Sequence, residues 1–225
     1  MPASDTATFP LHRQERSRRT AERITSAALS LLERKSFGEL SVAEIARKAG
    51  VSVGGFYARF PSKQALLQYF DATIVEGILE RAGRELDSER LSGASARQVV
   101  TTYIRLAVRM FRRHRPVLQQ VALRTRTSPD PVFKQRIRQA NAFLHGRFRA
   151  LLEERRAEIG HPDPQLAIDI GLTFVSATMR EYVLFAAFRP DFAPVKDGRL
   201  VRELTDAFCA YLRIADDLEK RGRRT

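Results

Sequence analysis

The 225-residue sequence contains a single cysteine, Cys209. One thiol closes no internal disulfide and leaves no second sulfur for a cysteine-based metal site. Cys209 is expected to behave as a small buried hydrophobe. Long apolar runs are also missing, and none approaches the ~20 residues that a membrane-spanning helix needs. No apolar stretch follows the first basic residues, so no secretory leader is expected and the chain is expected to stay in the cytoplasm. The four histidines (His12, His114, His145, His161) lie far apart, without HExxH-like spacing. No glycine-rich phosphate loop follows a strand. Neither a catalytic centre, a metal nor a cofactor has a motif to carry it, and none is expected.

Acidic residues are outnumbered, 26 against 39 basic ones, for a formal net charge of +13 and a pI near 10.7. That balance favours polyanionic partners, nucleic acid first and an acidic membrane surface second. Lysine supplies only six of the basic residues and arginine 33. Arginine suits phosphate because its planar fork gives paired hydrogen bonds. Residues 1–65 hold 11 basic and 6 acidic residues, and the remainder 28 and 20. The excess is therefore spread along the chain, and charge alone does not locate a site.

At 44% hydrophobic and 29% charged, the composition is that of a globular protein. No alternating strand pattern and no repeat is present. Apolar residues instead recur at helical spacing. Ile24, Ala27, Ala28, Leu31 and Leu32 form a first stripe, ended by Gly38. A short helix is expected from Val42 to about Lys48, opened by a capping box of Ser41 and Glu44 and broken at Gly50. Ser52 caps a third helix reaching toward Phe60, and Pro61 stops it. A fourth starts around Ser62. Later stripes run over Val99–Phe111, Phe133–Leu151, Gln165–Phe188 and Leu200–Leu212. The fold class expected is all-α, with about nine helices.

The stretch from Ser41 to Phe60, SVAEIARKAGVSVGGFYARF, meets the demands of a helix-turn-helix. Ala46 is small where two helices would touch. Gly50 supplies the positive φ of the turn. Ile45, Val51 and Phe56 would lock the helices together. These features also suit an ordinary corner between two helices of a bundle. The longer run IARKAGVSVGGFYARFPSKQALL favours the first: with its flanks, from about Arg18 to Leu67, it resembles the DNA-binding domain of the TetR family of bacterial repressors.

The first residues mix Pro, Ser, Thr and Asp without apolar periodicity, and a flexible tail is expected over residues 1–15. The resemblance implies a helix-turn-helix DNA-binding domain over 16–63, and a helical ligand-binding and dimerisation domain over 64–225. It implies that Ser41 and Lys63 touch phosphates at the starts of the second and fourth helices. Tyr57 would set its hydroxyl on the DNA backbone, and Ser52, Val53, Gly54 and Gly55 would face the major groove. Helix N-termini suit phosphate on physical grounds too. Arg59 replaces a common histidine and adds a cation near the groove. Gly54 and Gly55 each weaken a helix by about 1 kcal/mol relative to alanine. Two readings stand: close backbone approach to DNA, or a loose helix that orders on binding. Arg16, Arg18 and Arg19 would touch phosphates or a minor groove, or else form a solvated helix start.

The resemblance further implies a sequence-specific regulator on a palindromic operator, released by a small-molecule effector, expected to be apolar. Tyr103, Met110, Phe111, Phe133, Phe143, Phe174, Met179 and Tyr182 are candidates for an effector cavity, with plain core as the alternative. Nine arginines and no acid fall between Arg90 and Pro129. They face either the cavity mouth, where they would suit an anion with an apolar tail, or solvent. A homodimer is expected through Gln165–Phe188 and Leu200–Leu212, with Gly171, Ala177 and Thr178 admitting a partner helix. The rival classes are an enzyme, which no motif supports, and a membrane-surface protein, which the capped turn argues against.

Overall fold

The computed structural model describes residues 9–186, 193 and 195–215, with side chains from residue 17 onward. Among these residues nine α-helices follow one another: α1 (Phe9–Leu32), α2 (Val42–Ala49), α3 (Val53–Tyr57), α4 (Lys63–Glu85), α5 (Ala96–Arg113), α6 (Arg115–Thr127), α7 (Pro131–Glu153), α8 (Pro164–Met179) and α9 (Asp197–Leu212). A short 3-10 turn, Arg156–Glu158, follows α7, and a π-helical segment, Arg180–Leu184, continues α8. Among the described residues there is no β-strand. The all-α expectation holds.

The chain divides into two compact units, residues 1–73 and 74–225, with the boundary inside α4. The first unit is built on α1 to α3. Ile24 and Ala28 of α1, Ile45 and Ala46 of α2 and Phe56 of α3 are all buried. The first turns of α4 add Leu66, Leu67 and Phe70. Ala46 is the small contact residue that the helix crossing requires. Gly50 stops α2 at φ 63°, in the left-handed region. The Val51 N–H then reaches back to the Ala46 carbonyl at 3.0 Å, the bond that closes a helix end in this way.

Helix boundaries differ from the sequence reading in four places. α3 ends at Tyr57, short of Phe60. α1 starts at Phe9, inside the expected tail. Pro10 sits in its first turn, where a missing N–H costs nothing, and glutamine, glutamate and arginine follow. α1 stops at Leu32, before Gly38. The Glu39 carboxylate accepts hydrogen bonds from the N–H and hydroxyl of Ser36, both at 2.7 Å, and closes a turn instead. The long stripe from Gln165 is α-helical only to Met179, and Phe188 lies outside the described residues.

In the second unit α5, α7, α8 and α9 share one core, in which Ile104, Phe148, Leu152, Met179 and Phe208 are fully buried. Cys209 belongs to it, as a free buried thiol. α5 opens with a complete capping box of Ser95 and Gln98, a pairing that sequence reading placed instead at Ser41. The buried Arg155 donates to the carbonyls of Ala94, Leu151 and Leu91, tying the α4–α5 loop to the end of α7.

Gly171 takes a different place from the one expected. A Cβ built on it would stand 1.8 Å from the Phe208 ring. The glycine therefore seats the chain's own α9 against α8 rather than a partner helix. Filling a packed contact of this kind typically costs about 1–3 kcal/mol. Gly171→Ala is expected to lower stability by about 3 kcal/mol in urea unfolding, the upper end of that range; an unchanged midpoint would contradict the α8–α9 packing.

Candidate functional site

The starts of three helices define one candidate surface, in the first unit. Ser41 accepts the Glu44 N–H at 3.1 Å, Ser52 the Gly55 N–H at 2.9 Å, and Ser62 the Ala65 N–H at 3.0 Å. All three serines are exposed. Each spends an oxygen lone pair on its cap, so each hydroxyl keeps its proton for an outside acceptor. The box at Ser41 is only half made. Glu44 turns to Lys35, Nζ to Oε1 at 2.7 Å, and that bond holds its carboxyl below the usual range.

Between Ile45 and Phe70 there is no acidic residue, while Arg47, Lys48, Arg59 and Lys63 are basic. Arg47 and Lys48 are exposed at the end of α2, and sequence reading had not singled them out. Val53 and Tyr57 are 44% and 50% exposed, and Phe56 between them is fully buried. The Tyr57 ring stands edge-on to Phe56 with centroids 5.6 Å apart. That contact aims a large polar-tipped side chain outward. Gly54 is exposed and Gly55 and Arg59 are half-buried. A Cβ on Gly54 would meet nothing closer than the Ser52 Oγ at 3.9 Å. The fold itself thus has no need of a glycine there.

Lys63 departs from its expected place. Its ammonium donates to the carbonyls of Phe37, Gly38 and Leu40, at 3.0, 3.1 and 2.7 Å, and sits over the Phe37 ring. All three hydrogens are used within the protein, so none is left for a phosphate. The group presented at the start of α4 is Ser62. Lys63 links that start to Leu40, the residue before Ser41. Arg23 works in the same way at the turn, donating from Nη2 to the Gly50 carbonyl at 2.8 Å. Sequence reading missed this, because the partner is 27 residues away. In α1, Arg18 is exposed and pairs with Glu22 at 3.6 Å, and Arg19 is exposed. The Arg16 side chain lies outside the described residues.

A cavity of about 680 Å³ lies in the second unit, within the usual range for small-molecule sites. Four of the eight expected residues line it: Tyr103, Met110, Phe111 and Met179. Four do not. Phe133 is buried with Arg124 stacked on its ring, 4.1 Å from the centroid. Phe143 and Phe174 are exposed, and Tyr182 packs on the core. Of the arginines between Arg90 and Pro129, Arg126 alone lines the cavity. Arg97, Arg109 and Arg112 pair with Asp206, Glu85 and Asp197. Burial pushes the Tyr103 hydroxyl pKa up and, with Arg149 nearby, holds the His145 imidazole below its usual range.

Residues 24–70 match the model described as "Bacterial regulatory proteins, tetR family". Residues 95–212, more than half of the chain, match the "Tetracyclin repressor-like, C-terminal domain". The chain belongs to the tetR family. The HTH-type transcriptional regulator EthR of Mycolicibacterium smegmatis is 27% identical over 190 residues, covering 81% of each chain. Among solved structures, PfmR of Thermus thermophilus has a TM-score of 0.64 at 21% identity, covering 86% of this chain and 99% of its own. Bacillus subtilis FadR, solved with stearoyl-CoA, has a TM-score of 0.61 at 18% identity, covering 83% of this chain and 96% of its own. These likenesses show the fold. As a tetR-family member the chain is a DNA-binding transcriptional regulator and not an enzyme. Among the described residues no helix is long and apolar enough to cross a membrane.

In this tetR-family chain Lys63 is a clamp. Lys63→Ala removes three charge-assisted hydrogen bonds from a half-buried site, each worth about 1.5–3 kcal/mol when fully shielded. The variant is expected to lose about 2 kcal/mol of stability, read by urea unfolding. Its salt dependence of DNA binding should stay that of the parent. A flatter salt slope with unchanged stability would show instead that Lys63 binds phosphate.

Proposed function

We propose that this protein is a repressor that binds a palindromic operator as a homodimer and is released by a small-molecule effector in the cytoplasm. The observation that carries the DNA reading is the exposed surface of α2, α3 and the start of α4, with no acidic residue from Ile45 to Phe70. Ser41, Ser52 and Ser62 offer hydroxyl protons, and Tyr57 a phenol, to phosphate oxygens. Val53, Gly54 and Gly55 come against the base edges, where a bare backbone permits close approach. Few side chains there reach bases, so DNA shape contributes to specificity. Arg16, Arg18 and Arg19 add contacts to the flanking backbone, and Arg59 a cation beside the groove. The DNA-reading domain spans residues 16–63, and residues 64–225 serve effector binding and dimerisation.

Dimer formation is supported by a stripe on α8. Leu166, Ile170 and Phe174 recur every four residues and are 53%, 47% and 44% exposed in the single chain. Tyr211 of α9 is exposed as well. A two-fold dimer covering this stripe carries two copies of α3, set for half-sites about one helical turn apart or more. The effector reading is supported by the cavity and by the stearoyl-CoA in Bacillus subtilis FadR. α4 contributes Lys63 to the first unit and Val75, Ile78 and Leu79 to the cavity wall, so one helix belongs to both functions.

Gly54→Leu tests the DNA surface without a confounding loss of fold. Leucine is a better helix former than glycine by about 1 kcal/mol, and the site has room for a Cβ. The variant is expected to melt no lower than the parent. It should lose operator binding by about 100-fold or more in gel shifts while keeping weak binding to scrambled DNA, since non-specific binding rests on phosphate contacts. Parent-like operator affinity would overturn the assignment of α3.

A further inference from the structure

The cavity of the second unit is divided by chemistry. α4, α5 and most of α6 give it a largely apolar side, with Ile78, Leu79, Met110, Leu118 and Val121, and the C-terminal end of α6 adds Thr125 and Arg126. α7 and α8 bring polar groups to it, beside apolar residues such as Leu144 and Leu172. Asn141, His145 and Arg149 recur every four residues along α7 and form one ridge. Asp169, Thr173 and Ser176, with Arg180 just past the end of α8, form another. Arg149 joins the two ridges, donating from Nε to Asp169 Oδ1 at 2.7 Å.

The polar lining carries unbalanced charge. Three arginines, Arg126, Arg149 and Arg180, line the cavity against one acid, Asp169. Asp169 neutralises Arg149. The guanidinium groups of Arg126 and Arg180 have no ion-pair or hydrogen-bond partner among the described residues. Guanidinium does not lose its proton in proteins, so two positive charges face the cavity without a counterion. A half-buried guanidinium such as Arg180 is costly when unpaired. The buried Tyr103 of α5 also lines the cavity, and its hydroxyl likewise has no hydrogen-bond partner among the described residues. A cationic ligand meets repulsion here. A purely apolar ligand leaves these donors unmatched.

Resting on the reading of this cavity as the effector site, we infer that its ligand is an amphiphile: an apolar chain ending in an anionic group that Arg126 and Arg180 hold. The chain lies along α4, α5 and α6, and the anion takes the paired hydrogen bonds that suit guanidinium. The anion is either a carboxylate or the phosphate groups of a thioester carrier.

Isothermal titration of the full chain with four ligands of one chain length tests this: dodecanoate, dodecanoyl-CoA, dodecanol and dodecylamine. At least one of the two anions is expected to bind about ten-fold or more tightly than dodecanol and dodecylamine, and the one that does identifies the anion. Arg126→Gln and Arg180→Gln are each expected to weaken that anion about ten-fold or more and to leave dodecanol unchanged. Arg126 is exposed, so its variant keeps the test valid if the half-buried Arg180 proves needed for folding. Equal or tighter binding of dodecanol or dodecylamine overturns the inference, as does binding of none of the four or parent-like anion affinity in Arg126→Gln. Failure of the effector reading looks different: the anion binds as stated, but gel shifts on the gene's own upstream DNA do not change when it is added.

Discussion

The join between the loop before α2 and the start of α4 in the DNA-binding unit depends on the Lys63 ammonium. Its three hydrogens end on the carbonyls of Phe37, Gly38 and Leu40. That one group fixes the loop before α2 against the start of α4, and so sets Ser41 and Ser62 in relation to each other. Arg23 does the same for the turn after α2 through the Gly50 carbonyl. Phosphates along a duplex are regularly spaced, so donors useful to them must be held at fixed separations. Two cations of the kind that commonly touch phosphate are spent instead on backbone carbonyls within the unit.

The parts of this unit legible in the sequence are those whose demands are local. Serines at 41 and 52 were readable as caps because a cap bonds three residues along. Gly50 was readable because a left-handed turn narrows the choice to glycine. Lys63 and Arg23 were not, because their partners are 23 or more residues away and nothing in a spacing announces them. Glu44 shows the same limit. Its place three residues after Ser41 fits a capping box, and Lys35 competes for its carboxylate.

The larger unit was legible as helices and less so as surfaces. α6 escaped periodicity because only Val117 is buried, while Leu118, Val121 and Ala122 face the cavity. A helix lining a cavity shows a weaker stripe than one lining a core. Gly171 read as room for a partner helix, yet a small residue answers a close approach from any side, and here Phe208 makes it. Aromatic residues at helical spacing did not sort themselves into core, cavity and surface. Phe148 went to the first, Phe111 to the second and Phe174 to the third. Of the arginines lining the cavity only Arg126 belongs to the acid-free segment that had drawn attention, while Arg149 and Arg180 lie outside it.

The account's central claim is that a fixed surface of α2, α3 and the α4 start reads DNA twice, through a two-fold dimer. Hydroxyl-radical footprinting of the purified protein on the DNA upstream of its own gene tests that claim most directly. The account predicts two protected patches related by two-fold symmetry, spaced about one helical turn or more between centres and lost when the palindromic repeat is scrambled into a non-repeating sequence. A single unsymmetrical patch, or uniform protection that follows salt and not sequence, would contradict it.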